Sequence, residues 1–252
     1  MAVALGLALL LTAACGGSGA SGDDQRLTVL AAASLTEPFT TLAKRFEADH
    51  PGVDVVTSFD SSATLAAQVA AGAPADVVAT ADPRTMDTMV EADALAGRPE
   101  TFAHNELALV VPPDNPAGIH AVEDLDRSGV DFVVCAKSAP CGALAAQVLA
   151  EHGVTAPPRS YEVDVKAVLT KVVLGEADAG LVYASDVVAA GSKVRQVPLP
   201  RSPESSTSYP IAVTTDSKNP DLAKAFVDLV RSSEGRHVLT VAGFTVGADA
   251  NP

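Results

Sequence analysis

Short apolar runs alternate with amphipathic stretches from Leu27 onward. Residues 27–31 (LTVLA), 53–58 (VDVVTS) and 76–80 (DVVAT) have the length and β-branched content of strands. Between the first two, Phe39, Leu42, Ala43 and Phe46 recur at helical spacing after Pro38, and the run stops at His50-Pro51-Gly52. Residues 65–71 predict a second helix, closed by Gly72-Ala73-Pro74. This β-α-β-α-β order predicts an α/β domain with a largely parallel sheet.

The alternation then repeats. Residues 107–111 (LALVV) predict a strand that starts the crossing into a second lobe, followed by a strand at 130–135, helices at 142–151 and 166–174, and a strand at 179–183. Residues 198–208, rich in Pro and Ser, read as a connector; 211–214 read as a strand, and 222–230 and 235–241 as helices. Periodicity supports two alternating stretches. It does not by itself show that the second is inserted into the first.

The amino-terminal segment changes the picture of location. Residues 1–14 (MAVALGLALLLTAA) are uncharged and mostly apolar, and the first charged residue is Asp23. Fourteen residues fall short of the ~20 that span a bilayer, so the segment reads as a signal-peptide core. Leu11-Thr12-Ala13-Ala14-Cys15 resembles a bacterial lipobox, with Thr12 where the pattern prefers Leu, and makes Cys15 the expected lipidation site. The Gly/Ser run after Cys15 suits a flexible tether. Residues 1–25 are thus expected to be signal and tether, and the product to be exported and anchored to the outer face of the cell membrane. In that oxidising setting a disulfide between Cys135 and Cys141 is expected.

Composition narrows the function classes. The chain has 252 residues, 48% hydrophobic and 4% aromatic without Trp, and a formal net charge of −14. Without a basic stripe it is a poor nucleic-acid binder, because neutralising phosphates takes clustered Lys and Arg. A hydrolase needs a nucleophile with a base. His50, His104, His120, His152 and His237 lie in no triad motif, no Gly-x-Ser-x-Gly elbow is present, and no His/Cys spacing suits zinc, so hydrolase activity is a distant alternative.

Five turns rich in small or hydroxyl residues each open a helical run: Ala31 to Thr36 with Ser34, Phe59 to Thr64 with Ser62, Ser138 to Gly142 with Cys141, Glu162 to Val165, and Val182 to Asp186 with Tyr183. The first N–H groups of a helix have no partner within it, and the dipole adds about half a positive charge there. Such a turn binds an anion without Lys or Arg. Every α/β protein has helix starts, and any one serine here is an ordinary N-cap when seen alone. The pattern reaches as far as anion competence.

The segments AAASLTEPF, SFDSSATLAAQVAAGAPADVVATAD and GLVYASD together resemble the molybdate-binding proteins of ABC importers, over residues 27–247. The resemblance implies a two-lobed, type II periplasmic-binding-protein-like α/β fold. Each lobe would be a mostly parallel sheet flanked by helices, with the ligand cleft between lobes; lobe 1 would hold residues 26–104 and 210–252, and lobe 2 residues 105–209. It further implies that Ser34, Ser62, the N–H groups of Cys141 and Val165, and the Tyr183 phenol enclose the oxyanion. The cargo is then molybdate or tungstate, with sulfate or phosphate as the alternative. The partner is a membrane permease driven by a separate ATPase, and the protein is a monomer that needs no cofactor and holds no free metal cation. Cys141 stands where the family often has a smaller residue such as Ala, and Asp60 places a carboxylate beside the expected site.

Overall fold

The computed structural model describes residues 25–200 and 202–247; the signal segment and Cys15 lie outside the described residues. The chain runs β1 (Gln25–Ala32), α1 (Thr36–Asp49), β2 (Val53–Asp60), α2 (Ser62–Ala70), β3 (Val77–Ala79), α3 (Pro83–Glu91) and β4 (Glu100–Val111). It continues through β5 (Phe132–Cys135), α4 (Pro140–Glu151), β6 (Ser160–Glu162), α5 (Val165–Val173), β7 (Ala179–Tyr183), α6 (Ala184–Ala190) and β8 (Arg195–Val197). β9 (Ser206–Val213), α7 (Pro220–Arg231) and α8 (Ser233–Val241) follow.

The strands lie in the order β2-β1-β3-β9-β4-β7-β5-β6, with β8 also paired to β4. Pairing is parallel in the outer parts, β1 with β2 and β3, and β5 with β6 and β7. It is antiparallel wherever β4 or β9 takes part. β4 serves both halves: Glu100 to Glu106 pair with β9, and Leu107 to Val110 pair with β7.

Side chains of a strand alternate between faces, and β1 shows what each face meets. Leu27, Val29 and Ala31 join a core with Leu42 and Phe46 of α1 and Phe226 of α7. Leu30 points the other way, to Leu65 and Val69 of α2 and Met86 and Met89 of α3. The first half is therefore a sheet between two helical layers. Phe226 sits edge-on to Phe46 at 5.5 Å and to Phe39 at 6.0 Å.

The region expected to be a connector, 198–208, is not wholly irregular: β9 begins at Ser206, and a 3-10 turn spans Pro203–Ser205. The strand forms because β4 offers a partner for each residue from Ser206 to Tyr209, which the polar local composition does not reveal. Pro210 lacks an N–H and falls beside the register shift at Thr101 and Ala103, where a missing ladder bond is tolerated. β4 likewise extends seven residues before the expected start at 107, through the polar stretch ETFAHNE. β6, β8 and α3 were not foreseen. α3 had a start signal, since Asp82 accepts the Thr85 N–H at 2.8 Å ahead of Pro83, but its apolar stripe is only Met86 and Met89.

Replacing Phe226 by Ala is expected to cost about 3–5 kcal/mol. That lowers Tm by roughly 10 °C in a domain of this size. Val241→Ala, at a 66% exposed position, should barely move it; equal shifts in calorimetric melting would contradict this picture of the core.

Candidate functional site

Each of the five expected positions opens a helix. Ser34 lies in a 3-10 turn, Ala33–Leu35, that leads into α1; Ser62 begins α2, Cys141 is the second residue of α4, Val165 the first of α5, and Tyr183 immediately precedes α6. The structure brings all five to the wall of one cavity. Its volume is about 20 Å³, on a scale where one water needs ~10–15 Å³. Sites for organic ligands run to ~300–1,000 Å³. The space suits a guest of a few atoms.

Each of these positions has a donor left over. Ser62 Oγ accepts the Ala81 N–H at 3.0 Å, which leaves the hydroxyl proton for another acceptor. The Cys141 and Val165 amides stand in first helical turns, where no carbonyl of their own helix is in reach. Cys141 is disulfide-bonded to Cys135, which ties the start of α4 to the end of β5. Tyr183 is buried, and among the described residues its hydroxyl has no hydrogen-bond partner. Burial, with the nearby Tyr209 hydroxyl, holds its pKa well above the ordinary phenol value, so the group stays a neutral donor. Ser34 Oγ lies 2.9 Å from Tyr209 Oη.

Two carboxylates border the cavity, and one oxygen of each is engaged by a backbone N–H. Asp60 Oδ1 accepts the Ser61 N–H at 2.6 Å, and Asp164 Oδ1 caps α5 through the Ala167 N–H at 2.9 Å.

Behind the wall, Lys166 joins the two halves. Its ammonium lies 2.8 Å from Glu37 of α1 and 3.1 Å from the buried Asp186 of α6. Burial disfavours the Lys166 charge, but Asp186 and Glu37 outweigh it and raise its pKa. Burial also raises the Asp186 pKa, from 3.8 to about 6, against the opposing pull of Lys166 and of the Tyr183 N–H. A second link crosses the cleft where Arg84 donates to the Ser138 carbonyl at 2.9 Å. Sequence reasoning missed Lys166, Asp186, Asn105 and Tyr209; the last two lie in polar strand segments without a local signature.

Among the described residues no group of three or more His, Cys, Asp or Glu side chains is placed to hold a metal ion, and no helix is long and apolar enough to cross a membrane. The family model described as "Bacterial extracellular solute-binding protein" matches residues 27–245. The chain belongs to that family. This solute-binding protein is 41% identical over 218 residues to the molybdate-binding protein ModA of Mycobacterium tuberculosis H37Rv, covering 86% of this chain and 84% of the relative. It is 32% identical over 237 residues to ModA of Escherichia coli K12, covering 90% and 91%. The periplasmic molybdate-binding protein of Azotobacter vinelandii superposes with a TM-score of 0.75 at 20% identity, over 88% of this chain and 99% of that one. The sulfate-binding protein SubI of M. tuberculosis H37Rv gives 0.77 at 22% identity, over 90% and 88%. At those identities the structural matches establish the fold: two-lobed, α/β, of the periplasmic-binding-protein type.

The raised Asp186 pKa carries a sign. A carboxyl that binds its proton more tightly when folded favours the folded state at low pH, and that contribution is lost as pH rises from about 4 through about 6. Melting temperatures of the solute-binding protein and its Asp186→Asn variant, measured from pH 4 to 7, are expected to diverge, with the unsubstituted protein losing stability relative to the variant as pH rises. A constant difference would show that Asp186 does not titrate in that window.

Proposed function

We propose that this protein captures molybdate, with tungstate as a second guest, outside the cytoplasm for delivery to an ABC importer. The observation that carries this reading is the meeting of hydroxyl and amide donors from five helix-opening turns in one small cavity. Identity of 41% to a molybdate-binding relative points to the guest. Ser34 and Ser62 would receive the oxyanion, and the Cys141 and Val165 amides with the Tyr183 hydroxyl would enclose it as the cleft closes. The lobes, residues 26–104 with 210–252 and residues 105–209, would pivot where β4 and β9 cross. Homology to solute-binding proteins supports a binding protein rather than an enzyme.

The formal charge of −14 is compatible with an anionic cargo. Exposed carboxylates are screened over ~8 Å at physiological salt, whereas the donors touch the guest. Each charge-assisted hydrogen bond adds about 1.5–3 kcal/mol. Several together reach the ~8–12 kcal/mol of micromolar to nanomolar affinity after the costs of association.

Titration calorimetry with molybdate, tungstate, sulfate and hydrogenphosphate is expected to rank the first two highest. Ser34→Ala and Ser62→Ala should each weaken molybdate binding about tenfold, near 1.4 kcal/mol. Absence of molybdate binding would overturn the functional reading; unchanged affinity in both variants would overturn the site.

Anchoring would follow from Cys15. The Cys15→Ala protein is expected in the soluble fraction of cells or medium, and the unsubstituted protein in the membrane fraction with a diacylglyceryl mass on its terminal peptide. Membrane retention of the variant together with an unmodified peptide would exclude a lipid anchor at Cys15.

A further inference from the structure

Asn105 lies in β4, 1% exposed, and its amide is fully engaged inside the protein. Oδ1 accepts the Glu106 N–H at 3.0 Å, which turns Nδ2 toward Ser185 Oγ at 2.8 Å and Tyr209 Oη at 3.4 Å. An amide nitrogen only donates. Tyr209 Oη therefore receives a proton from Asn105, which favours the arrangement in which its own proton goes to Ser34 Oγ, 2.9 Å away, over the reverse one that the pair's geometry equally allows. Ser34, having accepted, keeps its proton for a further acceptor, and the space beside it is the cavity.

We propose that Asn105 sets the direction of the Asn105–Tyr209–Ser34 chain, so that Ser34 offers the guest a proton and not a lone pair. This makes Asn105 a positioning residue that selects oxyanions carrying no proton. The inference rests on the oxyanion-binding reading above and goes further, because it assigns discrimination to a side chain that does not touch the guest. Take away the Asn105 donor and the two hydroxyls can reverse: Ser34 donates to Tyr209, and a Ser34 lone pair faces the cavity. That lone pair is what the proton of hydrogenphosphate or hydrogenarsenate needs. Of the other wall groups, the Ser62 hydroxyl already accepts from Ala81, and Asp60, whose Oδ1 accepts the Ser61 N–H, is the same acceptor in every variant, so a change in selectivity between the variants reports Ser34.

The chain is also held from both halves. Asn105 and Tyr209 lie in the crossing strands, Ser34 in the turn before α1, and Ser185 in the first turn of α6. The bond to Ser185 uses one Nδ2 proton and leaves the other for Tyr209. The orientation of the amide is thus fixed by three partners.

The test compares the full chain with its Asn105→Leu and Tyr209→Phe variants. Molybdate affinity is read by calorimetry, and hydrogenphosphate affinity by competition against bound molybdate at neutral pH. Leu keeps similar bulk without a donor; Phe removes the hydroxyl that directs Ser34. Both variants are expected to bind molybdate more weakly and to lose less, or gain, for hydrogenphosphate. The molybdate-to-hydrogenphosphate affinity ratio should fall about tenfold or more. A merely structural defect lowers both affinities together and leaves the ratio unchanged, and that result in the folded variants overturns the relay. Two variants are used so that misfolding of one leaves the other decisive. Failure of the unsubstituted protein to bind any of the oxyanions refutes the functional reading instead, and is told apart because it needs no variant.

Discussion

A backbone N–H in the first turn of a helix has no carbonyl of its own helix to meet. Around the cavity of this protein, residues bearing groups of that kind at the starts of α4 and α5 line the same small space as Ser34, Ser62 and Tyr183. Among the described residues the Tyr183 hydroxyl has no partner although it is buried, a state that costs free energy unless something else accepts from it. Much of the surrounding structure holds these residues in place. Ala81 occupies one Ser62 lone pair, the disulfide ties down the start of α4, and Asp164 caps α5 through the Ala167 N–H, leaving the Val165 amide uncapped by it.

Charge on the molecule as a whole and charge at the site are separate matters. The excess of carboxylates acts through screened solvent. Inside, the partial positive charges of helix ends act at hydrogen-bond distance in a poorly hydrated space, where they count for more. Lys166, a cation close behind the wall, is held by Glu37 and Asp186 and so is not free to turn to a guest.

That the residues of the helix-opening turns share one site was what the family resemblance implied. The turns themselves were legible in the sequence because helix starts have local signatures: small and hydroxyl residues with an apolar repeat following and, at α1 and α4, a proline in the first turn (Pro38 and Pro140). Those cues sit within a few residues of Ser34, Ser62 and Cys141. The strand at 179–183 and the helix opened by Val165 were legible for the same reason. The layer behind was not. Ser34 and Tyr209 are 175 residues apart, and Asn105 and Tyr209 are 104 apart. Nothing local distinguishes Asn105 in ETFAHNE, or Tyr209 at the end of a Ser/Thr stretch, from loop residues. β4 and β9 owe their polar halves to each other rather than to intrinsic propensity, which is how a connector came to be expected where a strand begins.

The crossing of β4 and β9 has a mechanical meaning. The chain passes from one half of the molecule to the other along these strands, and Asn105 and Tyr209 are part of them. In any rotation, atoms close to the axis travel least while those at the far rim sweep the widest arc. If the halves rotate about this crossing as proposed, orienting side chains at the fulcrum would keep their bond lengths nearly constant, while the links that Arg84 and Lys166 make between the halves would have to open. An empty, gaping molecule would then present the Ser34 proton already aimed, and only the jaws would have to travel.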